Sequence, residues 1–218
     1  MATAKLRQRI VQTLLALAAE RRWDEVTLEA IADRAGVTLQ ALRSAFDGRI
    51  AILDAFVRGI DEQVLAARDP ELAEEAPRER LFDILFARIE ALLPHRAAIR
   101  GLAQAAFRDP LLALELNRMT VRSMSWMLTA AGLPATGIRG AARAQALAVM
   151  WSQVMRVFLD DTDPGLARTM AELDRRLRRA ERAAIRFDRL DRFLRGRRPP
   201  SRRAADDTDT DLAEGHPS

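Results

Sequence analysis

A chain of 218 residues, 49% hydrophobic and 30% charged, has enough apolar mass to bury a core, as one domain or as a small domain joined to a larger one. Its formal charge of +4 is unevenly spread: residues 1–64 carry nine basic and nine acidic side chains, residues 65–164 twelve of each, and residues 165–198 twelve arginines against five acids. The absence of cysteine and the presence of only two histidines, His95 and His216, exclude disulfides, thiolate zinc sites, iron-sulfur clusters and histidine-rich metal centres, so no metal and no cofactor is expected, and the lack of thiols fits a reducing, cytoplasmic setting.

Alanine and leucine dominate, glycine and proline cluster at breaks, and no alternating run of strand length occurs, so the chain reads as all-α. Lys5, Arg7 and Arg9 ahead of an apolar stretch imitate a targeting segment. Leu6, Ile10, Leu14 and Leu17 at steps of four, four and three make residues 4–22 a domain helix instead. Thr27 is placed to cap a short helix over 28–34 that Gly36 ends, and Thr38 to cap a second over 39–46. A longer helix over 49–66 presents Ile52, Leu53, Phe56, Val57 and Ile60 on one face. Asp69, Pro70 and the acidic run to Pro77 break the periodicity, which divides the chain into 1–66, 67–195 and a disordered tail, 196–218. The middle part reads as helices over 78–93, 95–107, 111–131, 139–159 and 165–195. The longest uncharged stretch, Ser123 to Ile138, contains Gly132, Pro134 and Gly137 and is too short to span a bilayer.

Two capped short helices joined by Ala35-Gly36-Val37 have the form of a helix-turn-helix. With Trp23-Asp24-Glu25-Val26-Thr27 before it, Ile31-Ala32 within it, and Leu42, Phe46 and Leu53 after it, the first 60 residues or so resemble the TetR family of bacterial regulators. The resemblance implies an N-terminal three-helix unit that binds DNA, a larger helical domain with a pocket for a small molecule, and a homodimer built on the last two helices. The chain departs from the family pattern where Arg43 and Ala45 replace a tyrosine and a histidine, and where Arg49 and Ile50 stand at the lysine and glutamate positions. Gln40 is the residue suited to pair with adenine and Arg43 with guanine. Arg43, Arg49, Ser44, Thr27, Thr38 and the amide of Leu39 suit phosphate contacts.

In the second part, Phe82, Phe86, Phe107, Met119, Met124, Met127, Trp151 and Met155 are candidate walls of an apolar ligand pocket, since methionine adapts to irregular shapes. Ordinary core packing gives the same spacing. Leu147, Met150, Val154 and Phe158, followed by Leu166, Met170, Leu173 and Leu177, form two seams that either pair with a second copy or close the bundle within one chain. Off the second seam, Arg175, Arg179, Arg182, Arg186 and Arg189 make a basic stripe. It reads as a solvated face, or as a helix over 165–195 lying on an anionic membrane with Ile185, Leu190, Phe193 and Leu194 in the lipid. A looser similarity, from Arg80-Leu81-Phe82-Asp83 through Arg88 to Leu93-Pro94-His95-Arg96 and again around Asp160-Asp161, Thr169 and Leu173 to Leu177, is to TetR-fold lipid-binding accessory proteins of ubiquinone biosynthesis. It implies an isoprenoid or other lipid as ligand and no DNA.

Overall fold

The computed structural model describes residues 3–67 and 74–196, with side chains given up to Ala183 and at Arg186. Nine α-helices lie in the described residues: α1 Ala4–Glu20, α2 Leu28–Ala35, α3 Leu39–Ala45, α4 Arg49–Ala66, α5 Pro77–Leu92, α6 Arg96–Ala106, α7 Pro110–Ala130, α8 Gly137–Asp160 and α9 Ala167–Gly196. Short 3-10 turns occupy Trp23–Glu25 and Leu93–His95. By compactness the chain divides into a unit ending at Arg179 and a second beginning at Ala180, whose described residues are the rest of α9.

The helix starts follow local chemistry. Thr3, Thr27 and Thr38 each accept a hydrogen bond from the amide three residues on, the N-cap arrangement that satisfies an otherwise orphaned donor. Asp109 does the same for Leu111 and Leu112, with Pro110 in the first turn, where its missing N–H costs nothing. Ahead of α9 the Asp161 carboxylate accepts from the Thr169 amide at 2.9 Å and the Thr169 hydroxyl at 2.7 Å. α1 stops at Glu20, short of the expected Arg22, because Trp23 turns inward and is buried.

Apolar faces at helical spacing meet in one continuous core within the first unit. Ile10, Leu14 and Leu17 of α1 join Ile31 of α2, Leu42 of α3, and Ile52, Leu53, Phe56 and Ile60 of α4. Leu85 and Ile89 of α5, Met124 and Met127 of α7, and Val154 and Phe158 of α8 continue it. α1 and α6 approach almost backbone to backbone, since a Cβ added to Gly101 would lie 2.3 Å from the Ala18 carbonyl oxygen.

This packing corrects the reading of the two late seams as a contact between chains. Leu147, Met150, Val154 and Phe158 of α8, with Leu166 before α9 and Leu173 and Leu177 on it, are buried in a single chain, and Met170 is half-buried. Periodicity reveals that a face is apolar and is silent on which chain covers it. Here the chain covers its own.

The expected linker at Asp69 to Pro77 falls partly, and the tail from residue 197 wholly, outside the described residues. The lipid-dipping side chains Ile185, Leu190, Phe193 and Leu194, and Arg189 of the stripe, also lie outside them.

Candidate nucleic-acid interface

α2 and α3 are held at the angle of a helix-turn-helix by a left-handed residue that only glycine adopts cheaply: Gly36 has φ +61° and closes α2 through its amide. Val37 then donates to the Ala32 carbonyl, and Thr38 caps α3. The inner face of α3 buries Leu42 and Ala45, which leaves Leu39, Gln40, Arg43 and Ser44 exposed. Leu39 is 49% exposed, an unusual surface for a leucine. Gln40 and Arg43, one turn apart, therefore share the outward side of a short capped helix, the presentation needed for side chains that enter a groove.

The other predicted contacts fare differently. Thr27 and Thr38 use their oxygens as cap acceptors and keep a hydroxyl proton to donate. Ser44 directs its hydroxyl proton to the Gln40 carbonyl at 2.8 Å, which ties it to its own helix. Arg43 pairs with Asp47 across one turn in an exposed, weak contact. Arg49 corrects the expectation: its guanidinium donates to the carbonyls of Trp23 at 2.7 Å and Val26 at 2.9 Å and lies 4.7 Å from the Trp23 ring centroid. Through Nη1 it fastens α4 to the turn before α2.

Two further arginines act in the same way. Arg7 of α1 donates to the Ala45 carbonyl at the end of α3 and sits over the Phe46 ring at 4.1 Å. Arg34 of α2 grips Glu20 of α1 bidentately, and the hydrogen bond from Arg34 holds the Glu20 carboxyl below its usual range. Sequence alone could not tell these latches from phosphate contacts, because both uses need an arginine near a helix end.

The predicted pocket walls differ in burial. Met119, Met124, Met127 and Trp151 are buried, and Met155 is half-buried. Phe82 and Phe86 stack at 6.2 Å, half-buried on α5. Phe107 cannot be a wall of an internal pocket: it caps α6 and is 79% exposed. Two open grooves lie elsewhere, one of about 550 Å³ between α1 and α6 around Trp23, Arg100, Gly101 and Arg108, the other of about 430 Å³ between α1 and α4 around Val11, Phe46, Phe56 and His95. Burial lowers the affinity of His95 for a proton, and its ring meets Phe56 edge-on at 5.0 Å.

Sequence reasoning also passed over a buried polar cluster of Asp61, Arg88 and Ser123, one residue each from α4, α5 and α7. Its signal was present: Asp61 follows Ile60 on the inner side of α4, and Arg88 stands between Leu85 and Ile89. A charge at a core-spaced position is the informative kind of exception.

No protein-family model and no curated protein matches the sequence. Solved structures do. A TetR transcriptional regulator from Nitrosomonas europaea ATCC 19718 superposes with a TM-score of 0.64 at 22% identity, covering 81% of this chain and 98% of its own. The fold is that of TetR regulators. A second, from Rhodococcus sp. RHA1, gives a TM-score of 0.55 at 21% identity, over 79% of this chain and 94% of its own. The likeness to TetR proteins thus extends through the bundle as well as the helix-turn-helix.

Proposed function

We propose that the chain is a DNA-binding transcriptional regulator that acts as a homodimer, with residues 1–66 reading DNA and residues 67–195 holding a small apolar molecule and the contact with a second copy. The observation that carries this reading is the outward face of α3, where Leu39, Gln40 and Arg43 stand exposed on a capped helix fixed by Gly36. Gln40 suits the N6 and N7 edge of adenine, Arg43 suits guanine or a phosphate, and the hydroxyls of Thr27 and Thr38 suit the backbone. Two such heads in a symmetric dimer read a palindrome, and a ligand that prefers one spacing of the heads shifts the population toward or away from the bound form.

Few arginines in the N-terminal block are free. Arg7 and Arg49 donate to backbone carbonyls and Arg34 is paired with Glu20 at the surface, so phosphate neutralisation falls to few side chains and base contacts weigh more in the affinity. Genome-wide DNA capture with the native protein tests the reading. An enriched palindrome is expected. Gln40→Ala relaxes base preference, while Arg43→Ala weakens all sequences alike and lowers the salt slope by about one unit. Absence of any enriched site overturns the reading. If the same protein then sediments with anionic liposomes, the excess arginines of residues 165–198 account for it, and the lipid-binding alternative replaces the regulator.

A further inference from the structure

Gln40 and Arg43 carry hydrogen-bonding groups on the outward face of α3, and Leu39 beside them carries none. Leu28 follows the cap of α2 as Leu39 follows that of α3, yet Leu28 is half-buried against the core, so the position does not by itself expose a leucine. Nor does the cap of α3 need Leu39. Val37 and Leu42, the residues that flank such a cap with apolar contacts, already lie against the core or in it. Leu39 is also solitary: among the described residues of 1–66, no other large apolar side chain is exposed. A protein partner is best held by a contiguous apolar patch. One leucine among hydrogen-bonding side chains complements a surface that shows a single methyl among donors and acceptors. The major groove of duplex DNA is such a surface, because each thymine presents its C5 methyl there beside O4.

We infer that the Leu39 side chain reads the C5 methyl of a thymine, and so selects an A·T pair next to the base that Gln40 reads. The inference rests on the regulator reading and names a chemical group within its operator. A G·C pair shows no methyl in the groove, and a leucine pressed against its edge would strip water from donors and acceptors and return no hydrogen bond. Leu39 thus discriminates against G·C without a hydrogen bond of its own. Neighbouring residues of a helix differ in height by about 1.5 Å, so the thymine falls within about two base pairs of the position that Gln40 reads. Arg43 stands one turn beyond Leu39 on the same side of α3, which leaves it free to contact a guanine or a phosphate farther along.

The test uses the full-length protein and the duplex that DNA capture enriches, together with copies in which each thymine in turn is replaced by uracil. Uracil keeps the pairing with adenine and the O4 acceptor and lacks only the methyl. Affinities are read by fluorescence anisotropy. One thymine in each half-site, within about two base pairs of the position that Gln40→Ala relaxes, is expected to be sensitive. Uracil there weakens binding about fourfold per half-site, the scale of one methyl group withdrawn from water. Leu39→Ala is expected to bind the thymine duplex more weakly and to ignore uracil at that position, while Gln40→Ala stays sensitive to it. Leu39 is exposed, so its truncation leaves the core intact, and the uracil scan of the native protein needs no variant. Uracil tolerated at every position, or Leu39→Ala keeping the full sensitivity, overturns the inference and leaves the regulator reading standing, because the operator is still bound. Absence of any enriched site overturns both.

Discussion

Arg43 and Arg49 were indistinguishable as a pair of cations flanking Phe46, and the structure gives them opposite tasks. Arg43 is mostly exposed and pairs with Asp47, while Nη1 of Arg49 donates to two backbone carbonyls. Arg49→Met should lower unfolding stability by about 1.5–3 kcal/mol, the usual range for hydrogen bonds to a charged group. Arg43→Ala should stay within about 0.5 kcal/mol, and urea denaturation of the two variants checks both. Asp161 offers a residue-level test in pH. The Thr169 hydroxyl, aided by backbone amides, holds the Asp161 carboxyl below its ordinary 3.8 against the opposing effect of burial. Its folded value is thus depressed, so the stabilisation is complete above the unfolded value near 3.8 and disappears as pH falls through the lower folded one. Asp161→Asn should be less stable at neutral pH and should show a shallower loss between pH about 4 and the acid limit. An acid titration of melting temperature with unchanged slope would remove Asp161 from that account.

The helices were legible where one residue decides the geometry. Thr27, Gly36 and Thr38 set the ends of α2 and α3 by a cap, a left-handed turn and a second cap, all local, and all three stand where sequence put them. Boundaries slipped by a residue or two elsewhere. α1 ends early because Trp23 is drawn into the core, and α8 starts at Gly137, which has φ +68°, ahead of the expected residue 139. The crossing of α1 and α6 was not legible, because a glycine inside a helical pattern does not announce the backbone it faces. Gly101→Ala tests that crossing. Its Cβ would meet the Ala18 carbonyl oxygen at 2.3 Å, and backbone on both sides cannot swing away. The helices must separate, at a cost of about 1–3 kcal/mol by the measure of overpacked cores. Gly59→Ala, whose Cβ meets nothing within 4 Å, serves as the control on a helical glycine and should be neutral or stabilising. Equal denaturation midpoints for the two would contradict a close crossing.

At the scale of the whole molecule, the homodimer proposed for DNA reading needs a surface, and the seams read from the sequence cannot supply it. Leu147, Val154 and Phe158 of α8 are buried in one chain. The opposite face of the same helix carries Ile138, Ala142, Ala146 and Val149, at steps of four, four and three, all exposed, with Ile138 at 91% and Val149 at 50%. An apolar stripe at helical spacing that faces outward is the kind of patch that a second copy covers, and a twofold axis would set it against itself. The two faces predict different failures. Val149→Glu adds a charge to the outer stripe, so it should give a monomer with unchanged helix content. Val154→Glu buries an unpaired charge and should abolish the fold, since a lone carboxylate in a core is among the most destabilising changes known. Light scattering and circular dichroism at micromolar concentration separate the cases. A dimer that survives Ile138→Glu together with Val149→Glu would move the interface off α8, and a wild-type monomer would leave two DNA-reading heads without a reason to be spaced.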